Sequence, residues 1–187
     1  MSGRPLTRPG SGPDPDLADV RAAQRDRAAF DALYRRHLDG VYRYCFYLLG
    51  DHHDAEDVTE RTFLAALGAI GRFRDDGASF QSWLYRIAHN HLVNALRARG
   101  RRRTSSLDAV PEPAIDADPA GLVGAAEESR RLQRALAKLP DDRRQVIILR
   151  FVDRLSAREV GAVLGRSEGA VRVLQHRALR ELADILS

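Results

Sequence analysis

The chain has 187 residues, 44% hydrophobic and 30% charged, with a formal net charge of +4. That length suits one or two small domains with ordinary cores, and the positive charge admits a polyanionic partner without naming one. A single cysteine, Cys45, excludes an internal disulfide, and no run approaches the roughly 20 apolar residues of a membrane-spanning helix.

Met1 to Ala18, MSGRPLTRPGSGPDPDLA, is rich in Pro, Gly and Asp and carries no hydrophobic segment of the secretory kind. It reads as a disordered tail over residues 1–18, and the protein is expected in the cytoplasm without membrane insertion. Helical patterning follows. Phe30, Leu33, Tyr34 and Leu38 share one face, and Val41, Cys45, Leu48 and Leu49 continue it. Cys45 lies in the apolar run VYRYCFYLL and is expected to be a buried thiol. Gly50-Asp51 breaks the pattern. Asp54 is the expected cap of the next helix, whose apolar face is Val58, Phe63, Leu67 and Ile70 and whose first turns carry Glu56, Asp57 and Glu60.

After GRFRDDGAS, Ser79 caps a long helix with the stripe Phe80, Trp83, Leu84, Ile87, Ala88, Leu92 and Leu96. It ends in RARGRRR, five arginines in seven residues from Arg97 to Arg103, which suits either nucleic-acid phosphates or a solvated charge run. Residues 104–126 form an acidic flexible linker: Thr104 to Gly121 has three prolines, the carboxylates Asp108, Glu112, Asp116 and Asp118, and no basic residue. Patterning resumes over 127–187. Leu132, Ala135, Leu136 and Leu139 precede Pro140, Asp141 is the expected cap of the next helix, and Ile147, Ile148, Phe151 and Val152 supply its core.

The stretch SAREVGAVLGRSEGAVRVLQHRAL, Ser156 to Leu179, closes the chain with two short helices. Ser156 and Glu159 fit an S-x-x-E capping box, Gly165 suits a left-handed C-terminal cap, and Ser167 caps the second helix. A three-residue turn containing Gly matches a helix-turn-helix. Val171, Leu174, Ala178 and Leu182 make the buried stripe, while Arg172, Gln175, His176 and Arg180 point elsewhere, as major-groove reading requires. No segment alternates like a strand. The fold is therefore expected to be all-α: two small helical bundles, 19–103 and 127–187, joined by the linker.

Three sets of motifs, AFDALYRRHLDGVYRYCFYLLGD with DAEDVTERTFLAAL, WLYRIAHNHLVNALR, and LPDDRRQVIILRFVDRLSAREVGAVLGRSEGAVRVLQHRAL, together resemble a bacterial RNA polymerase sigma factor of the extracytoplasmic-function (ECF) type. The resemblance covers about residues 26–103 and 127–185. It implies a sigma-2 domain and a sigma-4 helix-turn-helix domain, core RNA polymerase (its beta and beta-prime subunits) and promoter DNA as partners, and no catalytic activity or cofactor. The family commonly has an anti-sigma partner, which no residue here identifies.

On this resemblance Ser167, Glu168, Gly169, Arg172, Val173, His176, Arg177 and Arg180 would read the −35 element. Gly169 has two explanations, close approach of DNA backbone or packing against Gly165. The −10 element would be melted and read by the loop Arg72 to Ser79 and the adjoining helix face, with Phe73, Asp76, Phe80, Gln81, Tyr85, Asn90 and Asn94 as candidates and Arg97, Arg101, Arg102 and Arg103 on phosphates, since trapping an extruded base requires aromatic or apolar walls and hydrogen-bond donors. Trp83, on the stripe of Leu84 and Ile87, is assigned to the core. Asp54, Glu56, Asp57 and Glu60 would face the polymerase clamp. The sequence differs from the common family pattern at Arg61, His89, Asn94 and Leu174-Gln175.

Two other classes are open to test. A stand-alone helix-turn-helix repressor or activator would explain only the second bundle. A metalloenzyme would need ligands, but His89 and His91 lie about 200° apart on a helix, and no paired cysteine or phosphate-cradling loop occurs.

Overall fold

The computed structural model describes residues 14–105 and 131–186, without the side chains of 102–105. The helices are α1 (Leu17–Arg25), α2 (Phe30–Leu49), α3 (His52–Ala69), α4 (Phe80–Ser105), α5 (131–137), α6 (Asp141–Ile147), α7 (Ala157–Leu164) and α8 (Glu168–Leu186). No strand occurs among the described residues. Helices α1–α4 form one bundle and α5–α8 a second, the all-α arrangement expected. The acidic linker lies almost wholly outside the described residues.

In the first bundle the apolar stripes meet as their spacing requires. Leu33, Val41, Tyr44 and Cys45 of α2 close against Ala55, Val58 and Ala66 of α3 and against Phe80, Leu84, Ala88 and Leu92 of α4, all nearly inaccessible to solvent. Each Leu or Phe so buried stabilises the fold by about 1.5–3 kcal/mol. Gly50 terminates α2 in the left-handed region at φ 67°, which a glycine adopts without steric cost. The cap of α3 is Asp51, not Asp54: the Asp51 carboxylate accepts the Asp54 N–H at 2.8 Å, so Asp54 sits one turn inside. Cys45 is fully buried, and burial pushes its thiol up to about 12.

The fold begins earlier than the expected tail boundary at Ala18. Asp14 accepts the Phe80 N–H at 2.6 Å, at the start of α4, where Ser79 also accepts the Ser82 N–H at 3.2 Å. Asp16 is buried against Arg36 and lies 2.8 Å from the His37 ring nitrogen. Burial alone would raise the Asp16 carboxyl, but His37 and Arg36 outweigh it and hold it below the ordinary carboxylate value. Composition made DPD look solvated; its acids are instead consumed by a helix terminus and by Arg36 and His37 on α2.

In the second bundle the Ser156 hydroxyl accepts the Glu159 N–H at 3.2 Å and the Glu159 carboxylate accepts the Ser156 N–H at 2.8 Å, the capping box expected. Gly165 caps α7 at φ 65°. The tightest contact of the turn belongs to Gly161, where a Cβ would stand 2.5 Å from the Arg166 carbonyl oxygen. Two expectations fail here. Asp141 is not a cap: Pro140 occupies that position and Asp141 is the first helical residue. Phe151 is 50% exposed, because α6 continues as a π-type turn over Ile148–Val152 that rotates it away from the Ile147–Ile148 core. The turn ends at Arg154, held left-handed at φ 59°.

Candidate nucleic-acid and polymerase interfaces

Helix α8 buries Val171, Ala178 and Leu182 against α6 and α7 and presents its opposite face to solvent. Ser167, Glu168, Gly169, Arg172, Val173, His176, Arg177 and Arg180 are all exposed on that side. Ser167 starts the helix by accepting the Ala170 N–H at 3.2 Å. Glu168 holds Arg172 at 2.6 Å, an exposed pair worth little to stability but able to orient the guanidinium. Nothing lies within 4 Å of a Cβ built on Gly169, so packing against Gly165 does not require a glycine there. Gln175, one of the residues expected to face outward, accepts the Arg150 Nε–H at 2.9 Å and braces the turn after α6.

The residues expected at a melting site divide. Phe73 and Phe80 are core: their rings meet edge-on at 6.0 Å, and Phe80 also packs against His37. Tyr85 is buried against Tyr44 at 5.5 Å, with burial pushing its hydroxyl well up. Phe80 and Tyr85 present no ring face to an extruded base in this structure, while Phe73, though buried, is among the residues lining the loop cavity described below. Gln81 is half-buried and donates to the Asp153 carbonyl oxygen at 3.0 Å, across the boundary between the bundles. Asp76 stands exposed on the loop.

Asn90, Asn94, Arg97 and Arg101 are exposed, and their i, i+4, i+7, i+11 spacing at about 100° per residue keeps them in one stripe along α4. Arg86, four residues earlier, extends the stripe and is also exposed. The helix of α4 runs through Arg102 and Arg103, whose side chains lie outside the described residues. His89 is half-buried beside the Tyr44 hydroxyl at 3.3 Å, and burial lowers its basicity.

At the head of the stripe a cavity of about 200 Å³ is lined by Arg72, Arg74, Asp76, Trp83 and Arg86. Trp83 packs edge-on against Phe73 at 5.4 Å yet remains half-buried at the cavity wall, so it serves core and surface together. The sequence set Trp83 in the core and pointed to the loop Arg72 to Ser79, but gave Arg72, Arg74 and Arg86 no individual role. The i, i+3 spacing of Trp83 and Arg86 was the signal that placed them on one side.

On α3, Glu56 and Glu60 are exposed, while Asp54 and Asp57 are half-buried. Arg61 turns back to Asp57 at 2.9 Å. Glu56 and Glu60 rim a groove of about 620 Å³ between α2 and α3, floored by Tyr34, Leu38, Phe63 and Leu64. Leu64 is 61% exposed and Tyr34 39%. An apolar floor with an acidic rim suits a helical partner carrying arginines. Among the described residues no group of His, Cys, Asp and Glu is arranged to hold a metal ion, and no helix is long and apolar enough to cross a membrane.

Residues 33–102 match the family model for sigma-70 region 2, and residues 129–182 that for sigma-70 region 4. The chain is 35% identical over 174 residues to the ECF RNA polymerase sigma factor SigE of Mycolicibacterium smegmatis, covering 90% of this chain and 66% of that one. It is 37% identical to the ECF sigma factor SigD of Mycobacterium tuberculosis, covering 90% of this chain and 82% of the relative. The solved structure of CnrH in complex with the cytosolic domain of CnrY matches 91% of this chain and 96% of that one, at a TM-score of 0.70 and 27% identity. Two bundles with these faces, matched in order by both region models and by relatives of this similarity, place the chain in the ECF family of RNA polymerase sigma factors.

Proposed function

We propose that the protein is an alternative sigma factor that binds core RNA polymerase, directs it to a set of promoters and opens them, without catalytic chemistry of its own and in the cytoplasm where the polymerase works. The observation that carries this reading is the continuous exposed face of α8, on which Glu168, Gly169, Arg172, Val173, His176, Arg177 and Arg180 bury no side chain in the bundle. In the −35 major groove, Arg172, Arg177 and Arg180 would reach guanine edges or phosphates, and Gly169 would let the helix start approach the backbone closely. The α4 stripe from Arg86 to Arg101 would track the −10 strand, and the Arg72–Arg74–Trp83–Arg86 cavity offers an aromatic edge and guanidinium donors to an unstacked base. The groove rimmed by Glu56 and Glu60 would take the beta-prime clamp. The similar CnrH was solved in complex with the cytosolic domain of CnrY, and RpoE of Bartonella quintana with the anti-sigma factor NepR, so we expect an anti-sigma partner here also.

The test is gel filtration with purified bacterial core polymerase, followed by transcription from a genomic fragment library. Co-elution and new discrete start sites are expected. Sequence-specific operator binding by the free chain with no co-elution would instead identify a stand-alone regulator.

A further inference from the structure

Helix α1 lies before the residues that match sigma-70 region 2, yet side chains of α1 and of the segment leading into it reach both ends of the loop that walls the Arg72–Trp83–Arg86 cavity. At the near end, the Gln24 amide donates to the carbonyl oxygens of Ile70 and Phe73, each at 3.1 Å, one N–H to each. At the far end, the Asp14 carboxylate accepts the Phe80 N–H at 2.6 Å. Between Phe73 and Phe80 the chain has no helix or strand, and Gly77 stands in the left-handed region at φ 94°. None of these bonds is local: the partners of Gln24 lie 46 and 49 residues away, and that of Asp14 lies 66 away. Gln24 is exposed, so packing does not demand it.

We infer that α1 with its lead-in is the frame that holds the −10-reading loop in shape before DNA arrives, and that Gln24 and Asp14 are positioning residues for that loop. The inference rests on the −10 reading above.

The frame is itself fixed to α2. Val20 and Ala23 are buried, Asp16 pairs with Arg36 and His37, and Asp19 holds Arg36 at 2.7 Å. From this base the effect enters the cavity through Phe73. The Phe73 carbonyl oxygen is shared between Gln24 and Arg74, whose Nη1 donates to it at 3.0 Å and to the Gly71 carbonyl at 3.0 Å. The Phe73 ring packs edge-on against Trp83 at 5.4 Å and against Phe80 at 6.0 Å. Gln24 thus fixes the carbonyl that orients one guanidinium of the cavity and the residue whose ring backs its tryptophan. Asp14 fixes the first N–H of α4, the helix that carries Trp83 and Arg86. An irregular segment held at both ends has less conformational freedom to lose when an unstacked base enters it, so these bonds raise affinity without touching nucleic acid.

A hydrogen bond of ordinary net strength is a factor of about five in an equilibrium. Losing both Gln24 bonds should therefore weaken binding of the −10 strand by about five- to twenty-fivefold, and losing the charge-assisted Asp14 bond by about tenfold.

The experiment uses the full chain assembled on core polymerase at one fixed salt concentration. The probes are a single-stranded −10 oligonucleotide and a −35 duplex, both taken from a promoter mapped as above. The variants are Gln24→Met, which keeps length and charge but cannot donate, Asp14→Ala, and Asp14→Asn, which keeps an acceptor for the Phe80 N–H. Asp14→Ala and Asp14→Asn remove the same negative charge, so they differ in the hydrogen bond and not in attraction for phosphate. Hydrogen exchange of the free chain over residues 71–80, followed by mass spectrometry, is read in parallel.

Gln24→Met and Asp14→Ala should lose −10 affinity by the factors above, keep −35 affinity and co-elution with core, and exchange faster over residues 71–80. Asp14→Asn should recover both the affinity and the protection. Equal losses on the −10 and −35 probes would mean general destabilisation and overturn the positioning role, as would an Asp14→Asn protein no better than Asp14→Ala. Affinity unchanged in both Gln24→Met and Asp14→Ala overturns the frame. Arg86→Ala then separates the two readings: if it lowers −10 affinity, the frame alone is lost, and if it does not, the −10 reading is lost with it.

Discussion

Replacing Gly161 by alanine should destabilise the helix-turn-helix, although alanine is the better helix former. Inside α7 the exchange contributes about 1 kcal/mol in favour of folding. Against that, the new Cβ would lie 2.5 Å from the Arg166 carbonyl oxygen and 3.6 Å from the Glu168 nitrogen, where ordinary contact begins near 3.4 Å. The turn must retreat by about 0.9 Å, the difference of those two distances. It has little freedom to do so, because Gly165 fixes the cap and the Arg166 N–H is bonded to the Gly161 carbonyl at 2.9 Å. Overpacking of this kind costs about 1–3 kcal/mol, and a backbone neighbour belongs at the upper end, so the net loss should be about 1–2 kcal/mol. Gly169→Ala is the matched control. It meets nothing within 4 Å and should gain a few tenths to about 1 kcal/mol. Urea denaturation of the full chain, followed by far-UV circular dichroism, reads both signs. A Gly161→Ala protein as stable as the parent, or a Gly169→Ala protein less stable, would refute the steric argument.

Asp16→Asn should cost about 1–3 kcal/mol at pH 7, since Arg36 and His37 lose a buried partner. Because the folded Asp16 carboxyl is depressed, its contribution is present above the ordinary value near 3.9 and is lost as pH falls through the folded one. Urea midpoints of parent and variant should therefore differ constantly from pH 5 to 8 and converge in stronger acid. Ser156→Ala removes half the capping box and should cost about 1 kcal/mol in the same denaturation assay. The Cys45 thiol should resist iodoacetamide at pH 8 in the folded chain and react at once in denaturant; rapid native labelling, followed by mass spectrometry, would contradict its burial. Arg97→Ala and Arg101→Ala should each lower the log–log salt slope of single-stranded −10 binding by about 0.7, measured with the polymerase complex, if each side chain neutralises one phosphate.

The sequence was most legible where one residue has one task. The capping box at Ser156 and Glu159, the left-handed Gly165 and the outward face of α8 are local patterns, and the structure keeps all three. It was least legible where a side chain answers to a distant segment. Asp14 and Asp16 looked like parts of a solvated tail because their partners, Phe80, Arg36 and His37, lie far along the chain. Asp51 took the cap expected of Asp54 for a smaller reason: it is the residue that leaves helical geometry, at φ −138° and ψ 130°. Periodicity likewise failed at Phe151, where a π-type turn adds a residue and shifts the face.

The same division explains the uneven reading of α4. A helix that packs on one side and stays exposed on another sorts its residues by angle, not by chemical type. Aromatic rings suggest base stacking, yet Phe80 is buried in the bundle core and Tyr85 is buried toward Tyr44 and the second bundle, so their chemistry is spent on packing. Asn90, Asn94, Arg97 and Arg101 fall within one exposed stripe, and Arg86 joins it, though nothing but its angle marked it out. Gln81 and Tyr85 lie on a third side, which turns to Asp153 of the second bundle. That side could not be assigned from the sequence, since DRL at 153–155 carries no sign that its aspartate is buried. It becomes intelligible only when both bundles are present, because the groups it meets, Asp153 and its carbonyl, come from the second.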